Sequence, residues 1–315
     1  MATQPAQTAK TGVRFSVALS NQHIGWDDYK TALLAADEMA FETFWSFDHL
    51  MPIGGDPDGS CHECYTTLAA FAALTKRIRI GALVSGAAYR NPAMQIKLAT
   101  QIDVISDGRF DFGIGAGWAE REFRAFNLPF STPKERIGML RETLVLAKRL
   151  WSGDPTKKVT YEGKYVQAYD LFLNPQPVQR PRPPILIGGG GEQLTLRVVA
   201  RHADIWHGFG DLDTLKRKIA LIDDYAREYK RDPASIAKST NVAIWVGDPS
   251  SVPAQAAGGR GGGRPPIAGT PEQIEAKLRE YVDAGITYFI VGSQGGVHLD
   301  NWRRISEQVI PRFQG

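Results

Sequence analysis

Three short stretches carry residue types able to do chemistry: Asp48-His49, Gly113-Ile114-Gly115-Ala116-Gly117 and Gly188-Gly189-Gly190-Gly191. A histidine exchanges a proton near neutral pH, so His49 is the natural acid or base of the set. Adjacent side chains on an extended strand point to opposite sides, which gives Asp48 a separate part. Glycines remove Cβ and let a ligand reach backbone N–H groups. Gly188 to Gly191 precede Glu192 and a helical stretch. Successive N–H groups at such a helix start attract an anion, phosphate above all. The plainer readings are a histidine that caps a strand and a glycine run that only turns. The spacing 113, 115, 117 does not complete G-x-G-x-x-G, and no P-loop Gly-Lys-Ser/Thr follows it.

Other motifs carry less. Cys61-His62-Glu63-Cys64 invites a zinc or redox reading, but no second ligand pair stands at zinc-finger spacing. The histidines at 23, 49, 202, 207 and 298 make no His-Glu-x-x-His pattern. Two ordinary thiols and no metal is the expectation. No Gly-x-Ser-x-Gly elbow is present, which removes a serine hydrolase. Glu120 and Glu122 are acids near the second glycine stretch without an assignable role.

Each chemical stretch ends a predicted strand, and the strands alternate with helices. Strands are expected at Arg14 to Leu19, Thr43 to Phe47, Ile78 to Val84, Phe110 to Gly115, Ile185 to Gly188, Asp204 to Phe209, Asn241 to Val246 and Tyr288 to Val291. Helices are expected between them, Pro92, Pro133 and Pro271 each opening one, since the N–H that proline lacks has no partner at a helix start. Residues 152 to 184 break the rhythm with a hairpin around Glu162-Gly163-Lys164 and a proline-rich connector. Eight strands in this order predict a (β/α)8 TIM barrel with an insertion before strand five, with an open doubly wound sheet as the rival. In both, ligands bind at the carboxyl ends of the strands, where all three stretches fall.

With 315 residues, 43% hydrophobic and 23% charged, the chain has the composition of a globular protein with a sizeable core. Met1 to Gly12 reads as a flexible tail before one domain over 13 to 315, with an insertion at about 152 to 184 and a mobile loop at about 247 to 269. No apolar run is long enough for a membrane span, and a net charge of +3 is too small to argue for nucleic acid. Two cysteines exclude a disulfide framework and fit a reducing cytoplasm. Gly258-Gly259-Arg260-Gly261-Gly262-Gly263-Arg264 has only two arginines and no interleaved aromatic, so it reads as a solvated loop rather than an RNA-binding segment.

Taken together the motifs resemble the luciferase-like monooxygenase superfamily, and more closely its coenzyme F420 (deazaflavin)-dependent oxidoreductases. The resemblance rests on Trp45-Ser46-Phe47-Asp48-His49, Tyr89-Arg90-Asn91-Pro92-Ala93, Ile105-Ser106-Asp107-Gly108-Arg109, Gly113 to Trp118, Pro183 to Glu192 and Gly269-Thr270-Pro271-Glu272-Gln273, in family order between Arg14 and Arg312. It implies the barrel fold, a homodimer, a small-molecule substrate and a deazaflavin at the carboxyl end of the strands. It also implies a cis non-proline peptide within Leu83 to Gly86, around Val84-Ser85, backing the cofactor ring. Asp48 would lie beside that ring, Gly115, Ala116 and Gly117 would border it, and Gly188, Gly189, Gly190 and Gly191 would take its phosphate. His49 would accept a hydroxyl proton as hydride passes to C5 of the deazaflavin. Glucose-6-phosphate dehydrogenases of the family carry glutamate where this chain has Ala116, tryptophan where it has Ile53, and a phosphate-binding lysine with no match in Gly208-Phe209-Gly210-Asp211, which argues against a sugar phosphate. The alternatives are a reduced-FMN-dependent monooxygenase and, in another class, a non-catalytic flavin-binding or RNA-associated protein.

Overall fold

Eight parallel strands close on themselves. The computed structural model describes residues 12–253, 265–292 and 296–314. In chain order the barrel strands are β1 (Arg14–Leu19), β2 (Thr43–Ser46), β3 (Arg79–Ala82), β4 (Phe110–Gly115), β5 (Ile185–Gly188), β6 (Ile205–Gly208), β7 (Ala237–Val242) and β8 (Tyr288–Gly292). Each pairs with its neighbours in sequence, β8 returns to β1 with Arg14 opposite Tyr288, and β3 meets β4 with Ile80 opposite Phe110. Closure leaves no free edge and excludes the open doubly wound sheet.

The interior is filled rather than hollow. Ala18, Trp45, Leu186, Ile205, Tyr288 and Ile290 pack inside the barrel. Trp45 is fully buried, and a Cβ on Gly81 would come 2.5 Å from its Cζ3 atom, so the glycine makes room for the indole. Below it, at the amino ends of the strands, Asp111 takes hydrogen bonds from Arg79 Nε (3.0 Å) and Thr43 Oγ1 (3.1 Å). Tyr288 donates to Thr43 across 3.1 Å. This end of the barrel is thus plugged by a satisfied polar network.

Helices surround the strands. The principal ones are α1 (Trp26–Glu38), α2 (Cys64–Leu74), α3 (Pro92–Ile105), α4 (Glu120–Ala125), α5 (Pro133–Ser152), α6 (Thr195–His202), α7 (Leu212–Glu228), α8 (Pro271–Asp283) and α9 (Leu299–Arg304). Their starts are chemically marked: Thr132 with Glu135, and Thr270 with Gln273, form reciprocal capping boxes. Asn91 caps α3 and Glu63 caps α2 through side-chain oxygens. The insertion before β5 contains the antiparallel hairpin Val159–Glu162 and Gln167–Leu171.

The seventh strand differs from expectation. The barrel uses Ala237–Val242, whereas Ile244–Val246, inside the expected segment, pairs separately with Ile267–Gly269. Lys238, Ser239 and Thr240 make the true strand look polar. Their side chains find carbonyl partners, Ser239 on Trp206 and Thr240 on Gly208, both at 2.9 Å, so they are buried without loss. The expected final helix from Trp302 to Phe313 also changes its winding: α9 ends at Arg304, a π-type stretch follows over Ile305–Val309, and a 3₁₀ turn over Ile310–Phe313. Most of the expected tail at 1 to 12, and the glycine and arginine run 258 to 264, lie outside the described residues.

Candidate active site

Three separately read stretches meet at the carboxyl mouth of the barrel. The peptide between Leu83 and Val84 is cis, one residue before the expected Val84-Ser85 position. Val84 then lies between the ends of β4 and β5. A Cβ on Gly115 or on Gly188 would each come 2.9 Å from Val84 Cγ2, so both positions need glycine to admit the valine. Large side chains fill the barrel at Trp45 and Tyr288, but the layer above is pared down to backbone at these glycines. Gly117 follows with its carbonyl held by Arg136 Nε at 3.2 Å, and Ala116 packs against the core at its side.

The turn after β5 is a cradle. Gly189 has φ +135°, a conformation that side chains rarely adopt. Its N–H donates to the His207 carbonyl (3.2 Å), and its own carbonyl accepts from Trp206 Nε1 (2.8 Å). A Cβ on Gly190 would fall 2.5 Å from Lys218 Nζ, and one on Gly191 would fall 3.0 Å from Thr195 Oγ1. An ammonium, a hydroxyl and a run of glycine backbone therefore converge where a side chain would otherwise sit, the chemistry of a phosphate seat. Lys218 comes from α7, and no sequence signal links it to the glycines.

Asp48 and His49, which follow the end of β2, have different partners. Asp48 is buried and takes two hydrogen bonds from Arg90, at 2.7 and 3.0 Å, and one from Ser85 Oγ. Gln95 donates to Ser85 across 2.6 Å, and Arg90 lies 4.4 Å from the ring centre of Tyr65 and also bonds Glu63. All this ties the Val84-Ser85 segment to α2 and α3. In this arrangement the Asp48 carboxylate is buried and engaged by Arg90 and Ser85.

His49 has a different partner. Its Nδ1 lies 2.8 Å from Glu122 Oε2. Glu122 is buried on α4 and accepts also from Tyr89 Oη (2.6 Å) and from the N–H groups of Leu50 (2.6 Å) and Met51 (3.2 Å). Burial alone would raise the carboxyl's pKa, but the hydrogen bonds from His49, Tyr89 and Leu50 hold it below its ordinary value. An ionised Glu122 beside Nδ1 favours the tautomer with its proton on Nδ1 and its lone pair on Nε2. Nε2 has no hydrogen bond among the described residues. The Trp118 ring stands edge-on at 5.8 Å. A base with its tautomer set by a buried acid is the chemistry this pair can perform. Glu122 is one of the two acids that carried no role in the sequence, because its partner lies 73 residues away.

The two cysteines are separate thiols with different partners. Cys61 donates to the His49 carbonyl at 3.2 Å, and burial, then Glu122 and Asp48, push its pKa up to about 11. Among the described residues no group of three or more His, Cys, Asp or Glu is placed to hold a metal, and no helix is long and apolar enough to cross a membrane.

Comparison with known proteins adds to this geometry. The family model described as luciferase-like monooxygenase matches residues 9–260. The chain is 26% identical to an F420-dependent glucose-6-phosphate dehydrogenase of Microbacterium testaceum (strain StLB037), across 96% of this chain and 98% of that protein. It is 29% identical to an F420-dependent hydroxymycolic acid dehydrogenase of Mycobacterium tuberculosis (strain ATCC 25618 / H37Rv), across 78% of this chain and 66% of that one. Among solved structures, an F420-dependent secondary alcohol dehydrogenase in complex with an F420-acetone adduct superposes with a TM-score of 0.81 at 20% identity, covering 96% of this chain and 99% of that chain. At that identity the likeness speaks for the fold.

Proposed function

The chain belongs to the luciferase-like monooxygenase family, and from that membership we propose that it is a coenzyme F420-dependent oxidoreductase moving hydride between the cofactor and a small organic alcohol or carbonyl. Relatives that match nearly its whole length include F420-dependent glucose-6-phosphate dehydrogenases, which favours the deazaflavin over FMN. The observation that carries the chemistry is the His49–Glu122 pair standing near the mouth that Val84, Gly115 and Gly188 define.

The residues present fit such a cofactor. Gly189, Gly190, Gly191, Thr195 and Lys218 would hold the phosphate, Val84 would back the ring system, and Gly115, Ala116 and Gly117 would border it. The cofactor, when bound, supplies a hydride acceptor or donor at C5. For an alcohol, the C–H bond breaks with its electron pair leaving as hydride, the O–H proton passes to His49 Nε2, and a carbonyl forms. Glu122 accepts the Nδ1 hydrogen bond and stabilises the imidazolium that results. In the opposite direction the same imidazolium returns the proton to oxygen. Asp48 acts one step removed, through Ser85 and Arg90. The protein is further read as a cytoplasmic homodimer.

Ala116 stands where the family's glucose-6-phosphate dehydrogenases carry a glutamate, and Glu122 on α4, reached through His49, would be the second acid of this site. Without the sugar-phosphate signature residues, an unphosphorylated substrate is the reading.

Parallel fluorescence titration of the purified protein with F420 and FMN tests the cofactor. Saturable F420 binding, with substrate-dependent change of the deazaflavin spectrum that does not need oxygen, is expected. FMN binding with no F420 binding, and oxygen-dependent product from reduced FMN, would replace this reading with a monooxygenase.

A further inference from the structure

A basic cleft lies outside the barrel between α5 and α6. It has a volume of about 280 Å³, and Lys134, Arg141, Arg197, Arg201, Tyr165 and His202 are among its walls, with no carboxylate lining it. Arg197 is paired with Glu228 at 2.9 Å and Arg141 approaches Glu142 at 3.4 Å, while Lys134 and Arg201 have no ion pair among the described residues. His202 is only 6% exposed, yet neither ring nitrogen has a hydrogen-bond partner among the described residues. A buried, unmet imidazole facing several cations is costly unless something supplies oxygens to it. Burial first, then Lys148, Arg201, Arg231 and Arg141, push its pKa down to about 3, so at neutral pH it offers one N–H donor and no charge.

The position of the cleft suggests what fills it. Both bounding helices start at the mouth of the barrel. Helix α6 begins at Thr195, whose side chain flanks Gly189 and Gly191, and Leu194 just before it lines the cleft. Helix α5 begins at Pro133, and Arg136 in its first turn holds the Gly117 carbonyl. A ligand whose phosphate rested on Gly188 to Gly191 and whose chain continued outward would meet Leu194 and then the arginines.

We infer that the cleft between α5 and α6 is a carboxylate site that takes the oligoanionic tail of the cofactor beyond its phosphate. This rests on the F420 reading, because that coenzyme continues past the phosphate into a lactyl and oligoglutamate chain with a free carboxylate on each residue, whereas FMN ends at the phosphate. Guanidinium groups pair with carboxylates in bidentate geometry, and an imidazole N–H adds a neutral donor.

The test is an equilibrium fluorescence titration with two forms of F420, one carrying several glutamates and one cut back to the phospholactyl stub. Wild-type protein, Arg141→Ala/Arg201→Ala and Lys134→Ala would be compared, with melting temperatures as a check on folding. Wild-type protein is expected to bind the tailed form about tenfold more tightly than the stub, the sum of two or three partly exposed ion pairs. The double substitution should abolish that preference and leave the stub's affinity within about twofold, and the exposed Lys134→Ala should reduce the preference in part. Equal affinity for both forms in the wild type, or a preference that survives in the double variant, would overturn the inference while leaving the F420 reading intact. Equal affinities together with citrate binding that the double substitution removes would assign the cleft to a free carboxylate instead. Binding of neither form would remove the F420 reading and the tail with it.

Discussion

In the proposed reaction His49 and Glu122 divide one task between them, and substitution should separate their parts. His49→Ala removes the proton acceptor and should lower kcat by about 10²- to 10⁴-fold, with the Kd for cofactor changed little. Glu122→Gln keeps the shape but no longer dictates which nitrogen carries the proton. It should lower kcat by about tenfold or more and move the acid limb of the pH–rate profile, which a purely structural role would not do. Because the Glu122 pKa is depressed in the folded protein, its contribution is fully present above the ordinary value of 4.5 and is lost only as pH falls through the lower folded value. The pair is therefore intact throughout the neutral range. His49 was legible from its place after β2. Glu122 was visible as an acid but not as a partner, since only the folded chain brings α4 against the residues after β2.

At the scale of elements, the turn after β5 and helix α7 must be considered together. Gly190→Val would drive Lys218 Nζ from its place, and a flexible lysine can swing away, so the fold should survive. Cofactor affinity should drop by about tenfold, and Lys218→Ala should give a loss of similar size, both by fluorescence titration. Gly189→Val differs: at φ +135° it should cost about 1–3 kcal/mol of stability as well, seen as a lower melting temperature. Most elements were readable because alternation of apolar runs and capped helices is a local property. Strand β7 was not, because Ser239 and Thr240 are satisfied by carbonyls of β6, a fact of pairing that hydropathy along the chain does not contain. Glycine runs at the ends of β4 and β5 were readable in the sequence, but the valine between them and the lysine behind them belong to other elements.

Over the whole molecule, the cations gathered near α5 and α6 should set its acid sensitivity. A histidine held neutral down to about pH 3 binds no proton in the fold, while in the unfolded chain it is protonated below about 6.5. The His202 contribution to stability should thus be constant above pH 6.5 and fall as pH drops below it, by up to about 1.4 kcal/mol per pH unit. His202→Gln should flatten that slope between pH 6.5 and 4.5, before the carboxylates begin to titrate, as read from urea unfolding at a series of pH values. The same slope remaining in the variant would place the sensitivity elsewhere. The closed barrel itself was expected from strand count and order. The cleft was not, since its basic residues are split between two elements and align only when α5 and α6 lie side by side.

The floor that Val84 builds over Trp45 has one more effect. The proposed tricyclic cofactor, laid on it, would have one side shuttered by protein and only the opposite side open. Isotope delivered from a deuterated alcohol should therefore arrive with a single handedness at the prochiral carbon of the ring, readable by NMR as one diastereotopic signal. Trimming the valine to glycine, which unshutters that side, is the change that should first let the mirror-image label appear.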